Sequence, residues 1–179
     1  MQKEIIINGN KFIPFIDKNS IEEAVMRISG EINQDYSNKK PVFLIVLKGA
    51  FIFAADLIRS CNMECEVEVI NAKSYGAAME SSGNVRISNF DFEIKGKDVI
   101  IIEDIIDTGI TLKALSEAIN EHHPASLEIC VLLSKPSMRK VEVSCKYLGL
   151  EIPDKFVIGY GLDYDGRGRN LPEIYILDK

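Results

Sequence analysis

Residues 99–111, VIIIEDIIDTGIT, combine the end of a buried strand with the start of a helix. The opening run of β-branched residues is typical of a strand that is covered on both faces in a parallel sheet. It stops at two adjacent acids, Glu103 and Asp104. A third acid, Asp107, opens a turn of small residues, and apolar residues then follow at helical spacing. The stretch predicts a strand ending in acids, a turn, and a helix over residues 108–122.

The rest of the chain alternates between the same two kinds of element. Apolar runs and alternating patterns predict further strands at residues 5–7, 42–47, 64–75, 85–87, 97–103, 127–133, 156–161 and 174–177. Helical spacing predicts helices over residues 20–36, where Ser20 and Glu23 form a capping box, and 51–58. The pair Asn8-Gly9 predicts a hairpin turn. This order of elements indicates an α/β domain with a mostly parallel central sheet.

Composition limits the class of protein. A chain of 179 residues predicts one domain, residues 1–179, and a net charge of −6 argues against nucleic acid as a partner. No apolar run approaches the roughly 20 residues of a membrane span, and the N-terminus does not resemble a signal peptide. The cysteines are scattered and complete no zinc set, so we expect reduced thiols in a cytoplasmic protein without a membrane partner.

Charged residues follow several of the predicted strands. In parallel sheets, ligands bind beyond the carboxyl ends of the strands, so we expect Lys48-Gly49, Glu103-Asp104, Lys135 and Asp163 to gather at one edge. Singly, the lysines, and likewise Arg167 and Arg169, are ordinary surface charges. Together they provide the several cations that a phosphate-rich ligand needs.

The turn at residues 107–111 has two interpretations. It is either a capped helix start without a ligand or a phosphate site made of free N–H groups and threonine hydroxyls. The pair Glu103 and Asp104 is either a solvated loop or a site for vicinal hydroxyls or Mg²⁺. The ligand interpretations together imply a ribose 5-phosphate, with Asp107 placed to act as a general base. Neither common glycine-rich nucleotide loop occurs in the sequence.

The stretch at residues 99–109 closely resembles the phosphoribosyl-pyrophosphate (PRPP) signature of the type I phosphoribosyltransferases. The wider pattern resembles the hypoxanthine-guanine branch of that family. The motifs that carry this resemblance are LKGA (47–50), KSYG (73–76), SSG (81–83), EDIIDTG (103–109), LLSKP (132–136), PDKFVIGYGLDY (153–164) and RNLP (169–172). The resemblance implies the type I phosphoribosyltransferase fold, a mostly parallel sheet flanked by helices with a small hood formed from the terminal segments.

The resemblance also implies an activity in purine salvage. The reaction is a Mg²⁺-dependent transfer of the phosphoribosyl group from PRPP to hypoxanthine or guanine, by an enzyme that forms a homodimer or homotetramer. Asp107 would be the catalytic base at N7 of the purine. Glu103 and Asp104 would hold the ribose hydroxyls and the Mg²⁺ shell, and Asp163 would approach a second Mg²⁺.

The remaining roles follow from the same resemblance. The 5′-phosphate would lie against Asp107, Thr108, Gly109, Ile110 and Thr111. Pyrophosphate would lie against Lys48, Gly49, Arg169, Ser74 and Tyr75. The purine would lie against Lys135 at its 6-oxo group, Phe156 and Leu162 on its two faces, and Val157 and Asp163 at its pyrimidine edge. The Lys48–Gly49 peptide can be cis in this family, and residues 74–90 would form a flexible lid that excludes water.

Two features depart from the pattern of the family. Ile110 stands where many relatives carry lysine or another polar residue, and the lid interior at 77–80 lacks the usual polar residues. Two other functions stay open at this point. One is a regulator that keeps the PRPP site without catalysis, and the other is a transferase for pyrimidines or xanthine.

Overall fold

The computed structural model describes residues 4–74, 85–88 and 91–178, and the strands in them form two sheets. The described strands are β1 (Ile5–Ile7), β2 (Asn10–Ile16), β3 (Val42–Leu47), β4 (Glu66–Ser74), β5 (Val85–Ser88), β6 (Asp98–Ile106), β7 (Ser126–Ser134), β8 (Tyr147–Glu151), β9 (Val157–Ile158) and β10 (Ile174–Leu177). The described helices are α1 (Lys18–Asp35), α2 (Phe51–Arg59) and α3 (Ile110–Asn120), with a short 3-10 helix at Pro136–Met138.

The larger sheet has the strand order β5-β4-β3-β6-β7-β8. Neighbouring strands pair in parallel across β4, β3, β6, β7 and β8, whereas the edge strand β5 is antiparallel to β4. The position of β3 inside this sheet explains why its sequence is apolar throughout. Phe43 and Ile45 pack with α1 and α2, whereas Val42, Leu44 and Val46 pack with α3 on the other face. A strand between two helical layers has no face left for polar residues.

The smaller sheet has the order β1-β2-β10-β9 and joins the two ends of the chain. The hairpin of β1 and β2 turns at Asn8 and Gly9, both of which have positive φ, as the Asn-Gly pair predicts. β10 then pairs with both β2 and β9. This antiparallel sheet is the hood that the family resemblance implies.

Several predicted boundaries are wrong in detail. The acids Glu103 and Asp104 do not follow the strand but lie within it, because β6 continues to Ile106. The predicted capping box is also wrong: Asp17 caps α1 by accepting a hydrogen bond from the Ser20 backbone N–H. α3 begins at Ile110 rather than 108 and ends at Asn120 rather than 122.

Two strands near the C-terminus also differ from prediction. β8 was not predicted, since Gly149 interrupts its apolar pattern. That glycine lies so close to β7 that a Cβ there would meet the Leu132 carbonyl oxygen at 2.3 Å. The strand predicted at 156–161 is only Val157–Ile158, because Gly159, Tyr160 and Gly161 all take positive φ and turn the chain. None of the helices in the described part of the chain has the length and apolar character of a membrane span.

Candidate active site

The carboxyl ends of β3, β6 and β7 meet because these strands are parallel neighbours in the sheet. Lys48 follows β3, Glu103 and Asp104 lie in the carboxyl-terminal half of β6, and Lys135 follows β7. The predicted gathering at one sheet edge is therefore confirmed for these residues. The cis peptide bond lies between Leu47 and Lys48, one residue earlier than the resemblance implied.

The turn between β6 and α3 encloses a cavity of about 240 Å³. Its lining includes Glu103, Asp107, Thr108, Gly109 and Thr111. The first backbone N–H groups of a helix have no partner within the helix, so they can bind an anion. Gly109 precedes α3 with φ of 83°, a conformation that glycine adopts without steric penalty. The turn thus has the size, the donors and the backbone shape of a phosphate site.

Gly109 also fits tightly against the segment that follows β7. A Cβ at this position would lie 3.0 Å from the Val141 carbonyl oxygen and 3.0 Å from the Val143 side chain. The Thr108 carbonyl accepts hydrogen bonds from the Lys140 and Val141 N–H groups at 3.0 and 3.3 Å. Residues 140–143 thus hold the turn at residues 107–111, the phosphate turn, in place.

Glu103 and Asp104 form a partly buried pair of carboxyls. Burial, together with the negative charge of Asp104, raises the pKa of Glu103 well above its usual range. Burial also raises the pKa of Asp104. The Asp104 carboxyl lies where a side chain on Gly49 would be, since a Cβ there would be 1.5 Å from Asp104 Oδ2. The loop at Lys48 and Gly49 therefore rests directly on the acid pair.

Asp107, which follows β6, and Lys135, which follows β7, contact each other across the ends of these two strands. Lys135 Nζ is 3.4 Å from Asp107 Oδ2, and the Lys135 side chain is only 9% exposed. The backbone holds the pair in register, because the Lys135 N–H donates to the Ile106 carbonyl at 2.9 Å. Asp107 Oδ1 is buried and has no hydrogen-bond partner among the residues that the structure describes, so this oxygen is available to accept a proton or a hydrogen bond.

A second cavity, of about 500 Å³, lies between the end of β7 and the hood. Lys135, Asp154 and Phe156 line it, with Ile13 and Ile176 from the hood strands. The Phe156 ring is 46% exposed. Its position is fixed by an edge contact with Tyr164, with the ring centroids 5.6 Å apart. An exposed, supported aromatic face beside a buried ammonium can bind a flat heterocycle that carries an acceptor oxygen.

Arg169 and Asp163 are bound to each other. Arg169 Nη2 lies 2.6 Å from Asp163 Oδ1, and Arg169 Nη1 donates to the Gly161 carbonyl at 2.6 Å. Asp163 Oδ2 accepts from the Gly166 N–H at 2.6 Å. Gly161 in turn packs on Gly49, whose carbonyl oxygen would be 2.1 Å from a Cβ at Gly161. This network places Arg169 next to the Lys48–Gly49 loop.

The remaining predicted site residues belong to the core, to α3 or β4, or to the part of the chain outside the described residues. Leu162 is buried in the main core together with Val157. Ile110 is the first residue of α3. Ser74 is the last residue of β4, where its backbone pairs with Val85. Tyr75 and the rest of the predicted lid at 75–84 and 89–90 lie outside the described residues, although the returning strand predicted at 85–87 is confirmed as β5.

Sequence reasoning missed two residues of the site. Asp154 Oδ1 lies 3.7 Å from Lys135 Nζ, and the only sequence signal was its place two residues before Phe156. Arg139 donates from Nη2 to the Ser134 hydroxyl at 2.9 Å, and its buried Nη1 has no hydrogen-bond partner within the described ranges. Burial lowers the pKa of Arg139, whereas the nearby charge of Asp107 acts in the opposite direction.

Within the described ranges, no three His, Cys, Asp or Glu side chains converge to hold a metal ion by themselves. The acid pair nevertheless suits Mg²⁺, which prefers oxygen donors and binds through one or two carboxylates while waters and substrate phosphates complete its shell. Two adjacent, partly buried carboxyls with raised pKa values are also the groups that a divalent cation would relieve of mutual repulsion.

Comparison with known proteins identifies the family. The profile of the phosphoribosyl transferase domain family matches residues 16–165. The chain belongs to the phosphoribosyltransferase family. A hypoxanthine-guanine phosphoribosyltransferase of Aquifex aeolicus is 40% identical over 174 residues, which cover 96% of this chain and 98% of that protein. A hypoxanthine phosphoribosyltransferase of Haemophilus influenzae is 45% identical over 160 residues, covering 87% and 89%.

Solved structures of this transferase family share the fold. A hypoxanthine-guanine phosphoribosyltransferase of Bacillus anthracis superimposes with a TM-score of 0.87 at 38% identity and covers 93% of this chain and 97% of its own. A hypoxanthine phosphoribosyltransferase of Staphylococcus aureus gives 0.89 at 38% identity, covering 93% and 91%. The protein is therefore a transferase with the type I phosphoribosyltransferase fold, of a family that uses a divalent metal.

Proposed function

We propose that this phosphoribosyltransferase serves purine salvage by transferring the 5-phosphoribosyl group of PRPP to N9 of hypoxanthine or guanine. The observation that carries the proposal is the contact, at 3.4 Å, between Asp107, which lines the first cavity, and Lys135, which lines the second. A carboxylate can take a proton from one side of a purine while the neighbouring ammonium donates to its 6-oxo group. The names of the relatives fit the same two bases.

The reaction exchanges one bond at C1′ of the ribose for another. The bond from C1′ to the pyrophosphate oxygen breaks, its electron pair leaves with pyrophosphate, and N9 of the purine forms the new bond. The proton on N7 is accepted or shared by Asp107, which increases the electron density at N9. General-base assistance of this kind contributes about 10²- to 10⁴-fold in rate.

The other residues bind and orient the two substrates. The turn from Asp107 to Thr111 binds the 5′-phosphate through backbone N–H groups, so Ile110 contributes its N–H without needing a polar side chain. Lys48, the Gly49 backbone and Arg169 bind pyrophosphate. Phe156 stacks on the purine, and the Val157 backbone meets its pyrimidine edge.

Glu103 and Asp104 would hold Mg²⁺ together with the ribose hydroxyls. Bound there, the cation would neutralise charge on the pyrophosphate leaving group. Asp163 is the third metal residue that we propose, although its two oxygens are already engaged by Arg169 and the Gly166 N–H. Residues 74–90, including Ser74 and Tyr75, would form the lid that keeps water from the ribosyl centre.

We also propose that the enzyme is a cytoplasmic homodimer or homotetramer. The four cysteines are free thiols, which suits a reducing compartment. Large apolar side chains that are 40–47% exposed, namely Phe51, Val67 and Val69, offer surface for a subunit contact. Sedimentation velocity of the purified protein would give the assembly directly, and a monomer at micromolar concentration would contradict this part of the proposal.

The activity is tested by pyrophosphate release from PRPP with hypoxanthine, guanine, xanthine, adenine and uracil in parallel, with Mg²⁺ present. We expect release with hypoxanthine or guanine and none with adenine or uracil. Preference for uracil or xanthine would support the alternative transferase. Release with no base, while PRPP still binds, would support a regulator that keeps the binding site alone.

A further inference from the structure

Lys135 is shared between two carboxylates. Its side chain is 9% exposed, and its Nζ lies 3.4 Å from Asp107 Oδ2 and 3.7 Å from Asp154 Oδ1. The two acids approach from opposite parts of the chain, since Asp107 follows β6 and Asp154 lies between β8 and β9. A buried ammonium needs charged or polar partners. Here one partner, Asp154, lines the cavity assigned to the purine, and the other, Asp107, lines the cavity at the phosphate turn.

The proposed reaction places conflicting demands on Lys135. The ammonium is to donate to the 6-oxo group, while Asp107 is to accept a proton from N7. An ammonium held by Asp107 alone would point away from the purine and would keep Asp107 Oδ2 engaged. A second carboxylate at 3.7 Å reduces both effects, because it gives the ammonium another partner when it leaves Asp107 Oδ2.

We propose that Asp154 is a positioning residue that holds Lys135 for the purine and thereby frees Asp107 to act as base. This inference rests on the proposed function. When a 6-oxopurine binds, Lys135 keeps its contact with Asp154, donates to the 6-oxo oxygen and withdraws from Asp107 Oδ2. Asp107 then has both oxygens available, since Oδ1 has no hydrogen-bond partner in the described part of the chain.

The position of Asp154 suits such an indirect role. It lines the same cavity as Lys135 and Phe156, yet its side chain is 57% exposed, so solvent screens its attraction for the ammonium. The effect of removing its charge should therefore be moderate, whereas removal of Lys135 itself deletes the donor to the base. We expect Asp154→Asn to raise KM for hypoxanthine about fivefold, as for a single screened charge contact, and to lower kcat with KM for PRPP unchanged.

The test is a double-mutant cycle of Asp154→Asn and Lys135→Met, measured as kcat/KM for hypoxanthine and for PRPP in the full-length protein. Because Asp154 acts through Lys135, we expect its substitution to have no further effect once Lys135 is gone. Asp154→Glu should restore most of the loss in KM for hypoxanthine. Glu151→Gln, which removes an exposed carboxylate from the same segment, is the matched control and should behave like the wild type.

The outcomes separate this inference from the activity on which it rests. A wild type that releases no pyrophosphate with any base would overturn the proposed function and this inference with it. An active wild type with an Asp154→Asn variant of equal KM for hypoxanthine would overturn the inference alone. Fully additive losses in the double variant, or equal losses for hypoxanthine and PRPP, would also overturn it, because they would indicate a structural role for Asp154 independent of Lys135.

Discussion

Asp107 joins the phosphate turn to the purine side of the site, and its two oxygens lie in different surroundings. Oδ2 faces Lys135, whereas Oδ1 is buried and accepts no hydrogen bond from any residue in 4–74, 85–88 or 91–178. Asp107→Asn keeps the size of the side chain but removes its ability to accept a proton. We expect turnover to fall about 10²-fold or more, while PRPP binding, measured by calorimetry, stays near that of the wild type. A variant that turns over at the wild-type rate would contradict the assignment of Asp107 as base.

Lys135 is the residue that should distinguish 6-oxopurines from other bases. Its ammonium is buried at the end of β7, beside the cavity that Phe156 lines. Because a site that hydrogen-bonds one substrate group loses mainly that substrate when the donor is removed, Lys135→Ala should weaken hypoxanthine and guanine binding more than PRPP binding. Parallel titrations with base and with PRPP measure this difference. Equal weakening of both ligands would rule out a base-reading role.

At the scale of elements, the loop after β3 depends on the absence of a side chain at Gly49. Asp104 occupies that space, so Gly49→Ala must displace either the loop or the acid. We expect KM for PRPP to rise about tenfold, of the order that a misplaced binding group costs, with the secondary structure by circular dichroism intact. A variant with unchanged KM would show that this close approach is not needed for binding.

Gly30 provides the contrasting glycine. It is exposed in α1, and a Cβ there would meet nothing within 4 Å. Gly30→Ala should therefore stabilise the protein by about 0.5–1 kcal/mol, the usual gain from replacing a glycine inside a helix, without changing KM for PRPP. Thermal unfolding of Gly49→Ala and Gly30→Ala separates the effect of packing at the site from the effect of helix propensity.

Asp98, the first residue of β6, should make the stability of the fold depend on pH. The Ser126 hydroxyl donates to Asp98 at 2.5 Å and Lys39 Nζ lies 3.0 Å away. Chiefly through the Ser126 hydrogen bond, they lower the pKa of Asp98 below its usual 3.8. A carboxyl whose pKa is lowered by folding stabilises the fold above its unfolded pKa, and this stabilisation is lost as the pH falls through the native pKa.

We therefore expect Asp98→Asn to be less stable than the wild type at pH 7. The difference in free energy of unfolding should shrink as the pH falls below about 4, because protonation removes the same charge from the wild type. Urea unfolding at a series of pH values measures this difference. A difference that stays constant down to the lowest pH would mean that the Asp98 charge does not stabilise the fold.

The sequence reveals those elements whose pattern is set locally. The apolar run at 42–47 predicted β3, and the acids after residue 102 indicated the phosphate turn. Each of these signals is contained in a few consecutive residues. β8 was missed because its glycine reflects contact with Leu132 of another strand rather than a local preference. Asp154 was missed for a similar reason: its relation to Lys135 arises only when the segment after β8 folds over the end of β7. Contacts between distant segments leave no periodic signal in a single sequence.

At the scale of the whole molecule, the acid pair on β6 works against the stability of the fold. Glu103 and Asp104 lie partly buried in the central sheet. Burial raises the pKa of both, and the negative charge of Asp104 raises the pKa of Glu103 further. Acids whose pKa is raised by folding favour the folded state less as they ionise, so at neutral pH the ionised acid pair destabilises the ligand-free protein. Strain of this kind is common where a fold keeps charges together for a ligand.

Glu103→Gln separates these two effects. The amide oxygen of Gln can still accept the hydrogen bond that Glu103 Oε1 receives from the Asp104 N–H, but the repulsion is gone. We expect the ligand-free variant to melt at a higher temperature than the wild type, and PRPP with Mg²⁺ to raise its Tm less, because ligands stabilise in proportion to their binding to the native state. Glu117→Gln, on the exposed face of α3, makes the same chemical change away from the site and should alter neither quantity. If Glu103→Gln lowered the Tm of the ligand-free protein, the acid pair would stabilise the sheet rather than destabilise it.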